Sequence, residues 1–141
     1  MKMRIKKVQE RWFAADGDPD GAEVLIRHLK PGEVQDIAEA ALPQKISYVP
    51  DENGNMVPDF SISPQRSKER MLTFKLCVID WKNFFDESGN PLRFNEKNLL
   101  RAMREIEGFS EWINKCRETL AKEIAEENKA QEKNLSSSAS G

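Results

Sequence analysis

The chain has 141 residues, 38% hydrophobic and 33% charged, with a formal net charge of −2. That length predicts one domain with a modest core, and no apolar run approaches the roughly 20 residues of a membrane-crossing helix. The near-balanced charge excludes a global field that gathers nucleic acid or acidic lipid; no apolar signal segment follows the charged N-terminus, so the expectation is a soluble cytosolic protein.

The first eleven residues carry five Lys/Arg against one Glu. Such a basic arm, Lys2 to Arg11, can touch phosphates, although short basic termini are commonly just solvated. Gln9 to Ala14 and Ala22 to Leu29 flank the polar string DGDPDG at 16–21, a pattern that predicts a β-hairpin. DGDPDG also imitates the start of an EF-hand loop, whose twelfth position must be a bidentate Glu. Counted from Asp16, that position is Arg27. A guanidinium repels calcium, so the string reads as a plain turn. His28 is the single histidine; with no partner for proton transfer in view, its expected role is structural.

Lys30 to Leu42 predicts a short amphipathic helix. Pro31 suits the first turn, Glu33 lies near the positive end of the dipole, and Val34, Ile37, Ala38 and Ala41 form a narrow apolar face. Pro43 stops it. In residues 45–63, Asn53-Gly54 predicts a hairpin with a two-residue turn, confined to an edge by Pro50 and Pro58. Ser63-Pro64 then reads as a helix start. Met71 to Trp81, MLTFKLCVIDW, supports two readings. LTFKLCVI alternates like a strand, but SPQRSKERML leads into it without a breaker, and a continuous helix forming the central buried element is preferred.

Cys77 and Cys116 are far apart in apolar stretches and show no metal-ligand spacing; they are expected to be reduced core thiols. The segment DWKNFFDESGNPLRFN at 80–95 packs three large aromatics ahead of a polar turn. Of its carboxylates Asp80 and Asp86, Asp80 has no histidine, lysine pair or second acid nearby in sequence. Asp86 opens a turn, where a carboxylate commonly caps backbone N–H groups. The segment therefore reads as a helix–turn–helix connector with Trp81, Phe84 and Phe85 packed beneath it and Gly89 and Pro91 fixing its path. If Asn95 is the N-cap of the next helix, Phe94 and Leu99 hold the two positions of a hydrophobic staple. Leu100, Met103 and Ile106 continue that face, and Gly108 ends it as a C′ residue. The last helix, from about Ser110, carries the stripe Phe109, Trp112, Ile113, Cys116, Leu120, Ile124. Beyond Ile124 it is dense in charge, and LSSSASG has the composition of a disordered tail.

These elements predict an α+β fold: one helix-rich domain over residues 1–134, with three to four helices, an N-terminal β-hairpin and a small second hairpin inserted at 45–63, then a disordered tail at 135–141. No nucleophile elbow, phosphate loop, dinucleotide fingerprint or zinc motif is present in the sequence, so neither an enzyme nor a cofactor or metal is expected.

The combination Asp80, Trp81, Asp86, Gly89, Pro91, Phe94, Asn95 and Leu99 resembles the tail assembly chaperones of long-tailed bacteriophages. VLIRHLKPGEV is similar to the N-terminal pattern of that family, a strand followed by a Leu-x-Pro-Gly-Glu helix start. The resemblance implies a non-enzymatic protein of phage or prophage, acting in the bacterial host cytoplasm. It would bind the long helical tape-measure protein, and possibly the tail-tube protein, during tail assembly. Glu123, Glu126, Glu127, Lys129 and Lys133, on the charged extension of the last helix, are the candidate partner-binding residues. Many such chaperones are also made in a longer form by ribosomal frameshifting. Glu132-Lys133-Asn134 is encodable as a slippery A-rich run, although the same triplet is ordinary tail composition. The competing function is a small nucleic-acid-binding regulator that uses the basic N-terminal arm.

Overall fold

A computed structural model describes residues 3–43, 47–59 and 65–139, with side chains described through residue 134. Its fold is α+β. The described elements are β1 (Glu10–Ala14), β2 (Glu23–Arg27), α1 (Pro31–Ala40), β3 (Tyr48–Pro50), β4 (Met56–Pro58), α2 (Arg66–Cys77), β5 (Val78–Lys82), α3 (Glu96–Glu105) and α4 (Phe109–Ala139). The chain forms two compact units, one of residues 1–28 and 77–141, the other of residues 29–76.

In the first unit, β1 and β2 form the expected hairpin, with Trp12 opposite Leu25 and Phe13 opposite Val24. DGDPDG closes it. The Asp18 carboxylate accepts from the Ala22 N–H at 2.7 Å, and Gly17 and Gly21 take the positive φ that such a tight path requires. β5 pairs antiparallel with β2, giving the order β1-β2-β5. Helix α4 packs on β1 and β2. Between them lie Val24, Ile26, Val78 and Trp81 from the sheet and Phe109, Ile113, Cys116, Leu120 and Ile124 from the helix, all buried. The apolar stripe of the last helix is thus its core face, except that Trp112 is only half-buried.

The preferred reading of residues 71–81 as one helix is corrected. The helix stops at Cys77 and the chain continues directly as a strand. A β-bulge explains the error. Ile26 opposes Val78 but Leu25 opposes Asp80, so β5 holds one extra residue, Ile79. The bulge turns both Val78 and Trp81 inward, three residues apart, and a three-residue spacing of buried groups mimics a helix. The connector at 80–95 is consequently strand–loop–helix, not helix–turn–helix.

Helix α3 begins as expected: the Asn95 side chain accepts from the Asn98 N–H at 2.8 Å, and Leu99 at N4 is buried. Its buried face is Leu99 and Ala102; Ile106, expected on that face, is 40% exposed. Ile106 is the C-cap, so Gly108, with φ 80°, falls at C″ rather than C′. The tail expected to be disordered from residue 135 is helical as far as Ala139.

In the second unit, α1 starts at Pro31, and the Glu33 carboxylate accepts from the Lys30 N–H at 3.0 Å. Of its predicted apolar face only Ile37 and Ala41 are buried; Val34 and Ala38 are exposed. Phe74 and Thr73 of α2 are buried, and the Thr73 hydroxyl donates to the Glu69 carbonyl at 2.7 Å. The small hairpin pairs Val49 with Val57, and every residue of β3 and β4 is exposed. The predicted helix start at Ser63-Pro64 lies outside the described residues.

Candidate functional site

The eight motif residues from Asp80 to Leu99 lie on β5, on the loop after it and at the start of α3, and Trp81 and Phe94 among them are in ring contact. Trp81 is 5% exposed. Its ring stacks on Phe84, with centroids 4.2 Å apart and planes 3° from parallel. Phe94 and Phe109 meet it in T-shaped arrangements, with centroids 5.1 and 6.4 Å away. Its indole N–H donates to the Leu92 carbonyl at 2.8 Å, so the one polar atom of a buried ring is satisfied. One expectation for this cluster fails: Phe85 points away from it and is 40% exposed.

The loop above these rings is a compact backbone structure. The Asp86 carboxylate accepts from the N–H groups of Ser88 and Asn90 at 3.0 and 2.9 Å, which is the turn-capping role expected of it. Asp86 and Asn90 are also joined through their main chains at 2.9 Å. Gly89 has φ 81°, and Phe85 pairs with Pro91 in a single β-bridge. Asp80, on β5, is exposed and accepts from the Trp81 N–H at 2.8 Å.

The same turn is built a second time. In DENGN at 51–55 the Asp51 carboxylate accepts from Asn53 and Asn55, both at 2.9 Å, and the Asp51 N–H donates to Asn55 at 2.8 Å. Gly54 has φ 80° and Asn53 does not have a positive φ. The expected two-residue turn is therefore corrected to a three-residue loop, Glu52 to Gly54, with a left-handed glycine at its end.

The candidate residues on α4 sit differently. Glu123 pairs with Arg11 of β1, so it fastens the helix to the sheet. Glu126, Glu127, Lys129 and Lys133 are exposed; at 3.6 residues per turn Glu126, Lys129 and Lys133 share one face of the helix, within about 60°, and Glu127 lies about 100° from Glu126. Cys77 and Cys116 are free and buried, and burial pushes both thiols up to about 11. His28 is half-buried just beyond β2, and its backbone N–H donates to the Gln9 carbonyl at 2.8 Å.

A cleft of about 460 Å³ opens beside the aromatic cluster, between the β1–β2 turn, the loop after β5 and the α3–α4 corner. Phe85, Ile106 and Trp112 give it apolar walls; Asp18, Asp20, Asp86 and Glu107 supply negative charge. A second hollow, of about 320 Å³, shares Phe85, Asp86 and Ile106 with it. These residues come from three separate segments, so no single stretch of sequence signals the cleft.

The chain matches no family model, no curated protein and no solved structure. Among the described residues, no group of three or more His, Cys, Asp or Glu is placed to hold a metal ion. No described helix is long and apolar enough to cross a membrane.

Proposed function

We propose that this chain is a non-enzymatic assembly chaperone of the phage-tail kind, holding a long helical partner such as a tape-measure protein in the host cytoplasm until tail-tube subunits assemble around it. The observation that carries the reading is the burial of Trp81. Two of the residues that carry the resemblance, Trp81 and Phe94, meet in one aromatic clamp with Phe84 and Phe109, which joins strand, loop and helices. Their chemistry is spent on packing. The surface left for a partner consists of the apolar cleft beside that clamp and the charged extension of α4. A helix-rich partner exposes apolar stripes before assembly, and a groove lined by aromatic residues covers such stripes.

The test is co-expression with a tape-measure protein encoded beside this chain. The reading expects the long protein to stay soluble and to co-purify. A tape-measure protein that is equally insoluble with and without this chain overturns it.

A further inference from the structure

The cleft at the α3–α4 corner and the basic arm ahead of β1 are complementary; the cleft lies at the start of α4 and the arm meets that helix farther along, at Asn128. The cleft wall contains Phe85 and Ile106, each 40% exposed, and the half-buried Trp112. Its charged residues are Asp18, Asp20, Asp86 and Glu107, with no Lys or Arg among the lining residues. Asp18 and Asp86 each accept backbone hydrogen bonds.

The arm has the reverse character. Residues 3–8 read MRIKKV, with three basic residues and no acid. They carry no regular secondary structure, and Met3, Ile5 and Val8 are 85%, 98% and 46% exposed. Exposed apolar side chains between cations are what an apolar cleft with an acidic rim accommodates.

The arm does not serve its own cleft. The Lys6 ammonium donates to the Asn128 side chain, and Asn128 lies about 24 Å along the helix axis from Trp112 at 1.5 Å per residue. The direction is fixed by Arg11, which is paired with Glu123 and anchors the start of β1 near the middle of α4.

We infer that the arm of one copy, residues 3–8, docks in the Phe85–Ile106–Trp112 cleft of a second copy, so that the chain self-associates head to tail. Two different surfaces make this contact heterologous, and such contacts extend into open-ended chains unless the geometry closes a ring. The acid–base component is screened by salt. The cleft is the one the chaperone reading gives to a partner, so that partner and the arm of a second copy compete for it; both surfaces here belong to this chain, so self-association is tested with no partner present.

Sedimentation velocity of the full chain over a concentration series, at low and high salt, tests it. Two variants alter exposed residues only: an arm variant, Arg4→Ser with Ile5→Ser and Lys7→Ser, and a cleft variant, Asp20→Lys with Glu107→Lys. Circular dichroism and thermal melting serve as the check on folding. The wild type is expected to grow with concentration at low salt and to weaken several-fold at high salt. Each variant alone stays monomeric where the wild type associates. An equimolar mixture of the two stops at the dimer, because it retains one intact arm and one intact cleft. A wild type that is monomeric throughout, an arm variant that associates like the wild type, or a mixture that stays monomeric overturns the inference.

Discussion

The indole N–H of Trp81 donates to the carbonyl oxygen of Leu92, eleven residues on, at 2.8 Å. That bond ties strand β5 to the far side of the loop over which Phe84 and Phe94 close. Removing the ring empties a buried site contacted by three aromatics, so Trp81→Ala should cost about 3–5 kcal/mol. That is a large part of the roughly 5–15 kcal/mol that holds a domain together. Trp81→Phe keeps a ring but leaves the Leu92 carbonyl without its donor, at a cost of about 1–3 kcal/mol. Urea denaturation of both variants measures the pair. A Trp81→Ala chain as stable as wild type contradicts the clamp.

The twin turns separate local chemistry from its context. Gly89 and Gly54 share a left-handed φ near 80°, and a Cβ added at either meets nothing within 4 Å. The local cost of Gly→Ala is therefore mainly backbone strain, about 1–2 kcal/mol at both sites. The readouts should differ. Gly89→Ala strains the loop joined to the buried Trp81 and should lower global stability. Gly54→Ala strains a hairpin whose strand residues are all exposed, so it should speed amide exchange within β3 and β4 and leave the global transition nearly unchanged.

Much of this architecture is legible in the sequence because its signals are local. A polar turn between two apolar runs marks β1 and β2, Pro31 with Glu33 marks the start of α1, and Asn95 ahead of a leucine-rich run marks α3. The apolar stripe from Phe109 to Ile124 identifies the face of α4 that lies on the sheet. What is misread depends on partners distant in the chain. The bulge at Ile79 exists only because β2 lies opposite, and it gives Val78 and Trp81 the spacing of a helix. Val34 and Ile106 keep helical spacing yet stay exposed, because burial is set by what packs against a helix. The duplicated string D-E-x-G-N was the available signal that one turn is used twice. The cleft around Phe85 and Trp112 had no such signal.

The N-cap of α3 gives a smaller test. Asn95 satisfies the Asn98 N–H through its side chain, so Asn95→Ala should destabilise by about 1 kcal/mol. Asn95→Asp should cost little, since a carboxylate accepts the same bond and is favoured by the helix dipole. Thermal melts of the two variants rank them. Equal losses would show that the cap does not contribute.

The thiols predict a pH dependence. Burial raises Cys77 and Cys116 to about 11, whereas thiols in an unfolded chain ionise near 8.5. Between about pH 8.5 and 11 the unfolded state therefore holds fewer thiol protons than the folded one, and stability falls as pH rises. Their contribution is fully present below about pH 8.5 and amounts to at most roughly 3–4 kcal/mol per thiol. Denaturation at a series of pH values should show this decline, with a shallower slope in Cys77→Ala with Cys116→Ala. A thiol reagent at neutral pH should label neither cysteine until the chain unfolds.

The most direct measurement of the central claim, that this molecule holds another protein, is light scattering from a denatured tape-measure protein diluted into buffer with increasing amounts of this chain. The account predicts that aggregation is suppressed and that the suppression saturates at a fixed molar ratio. Scattering that rises equally with and without the chain would contradict it.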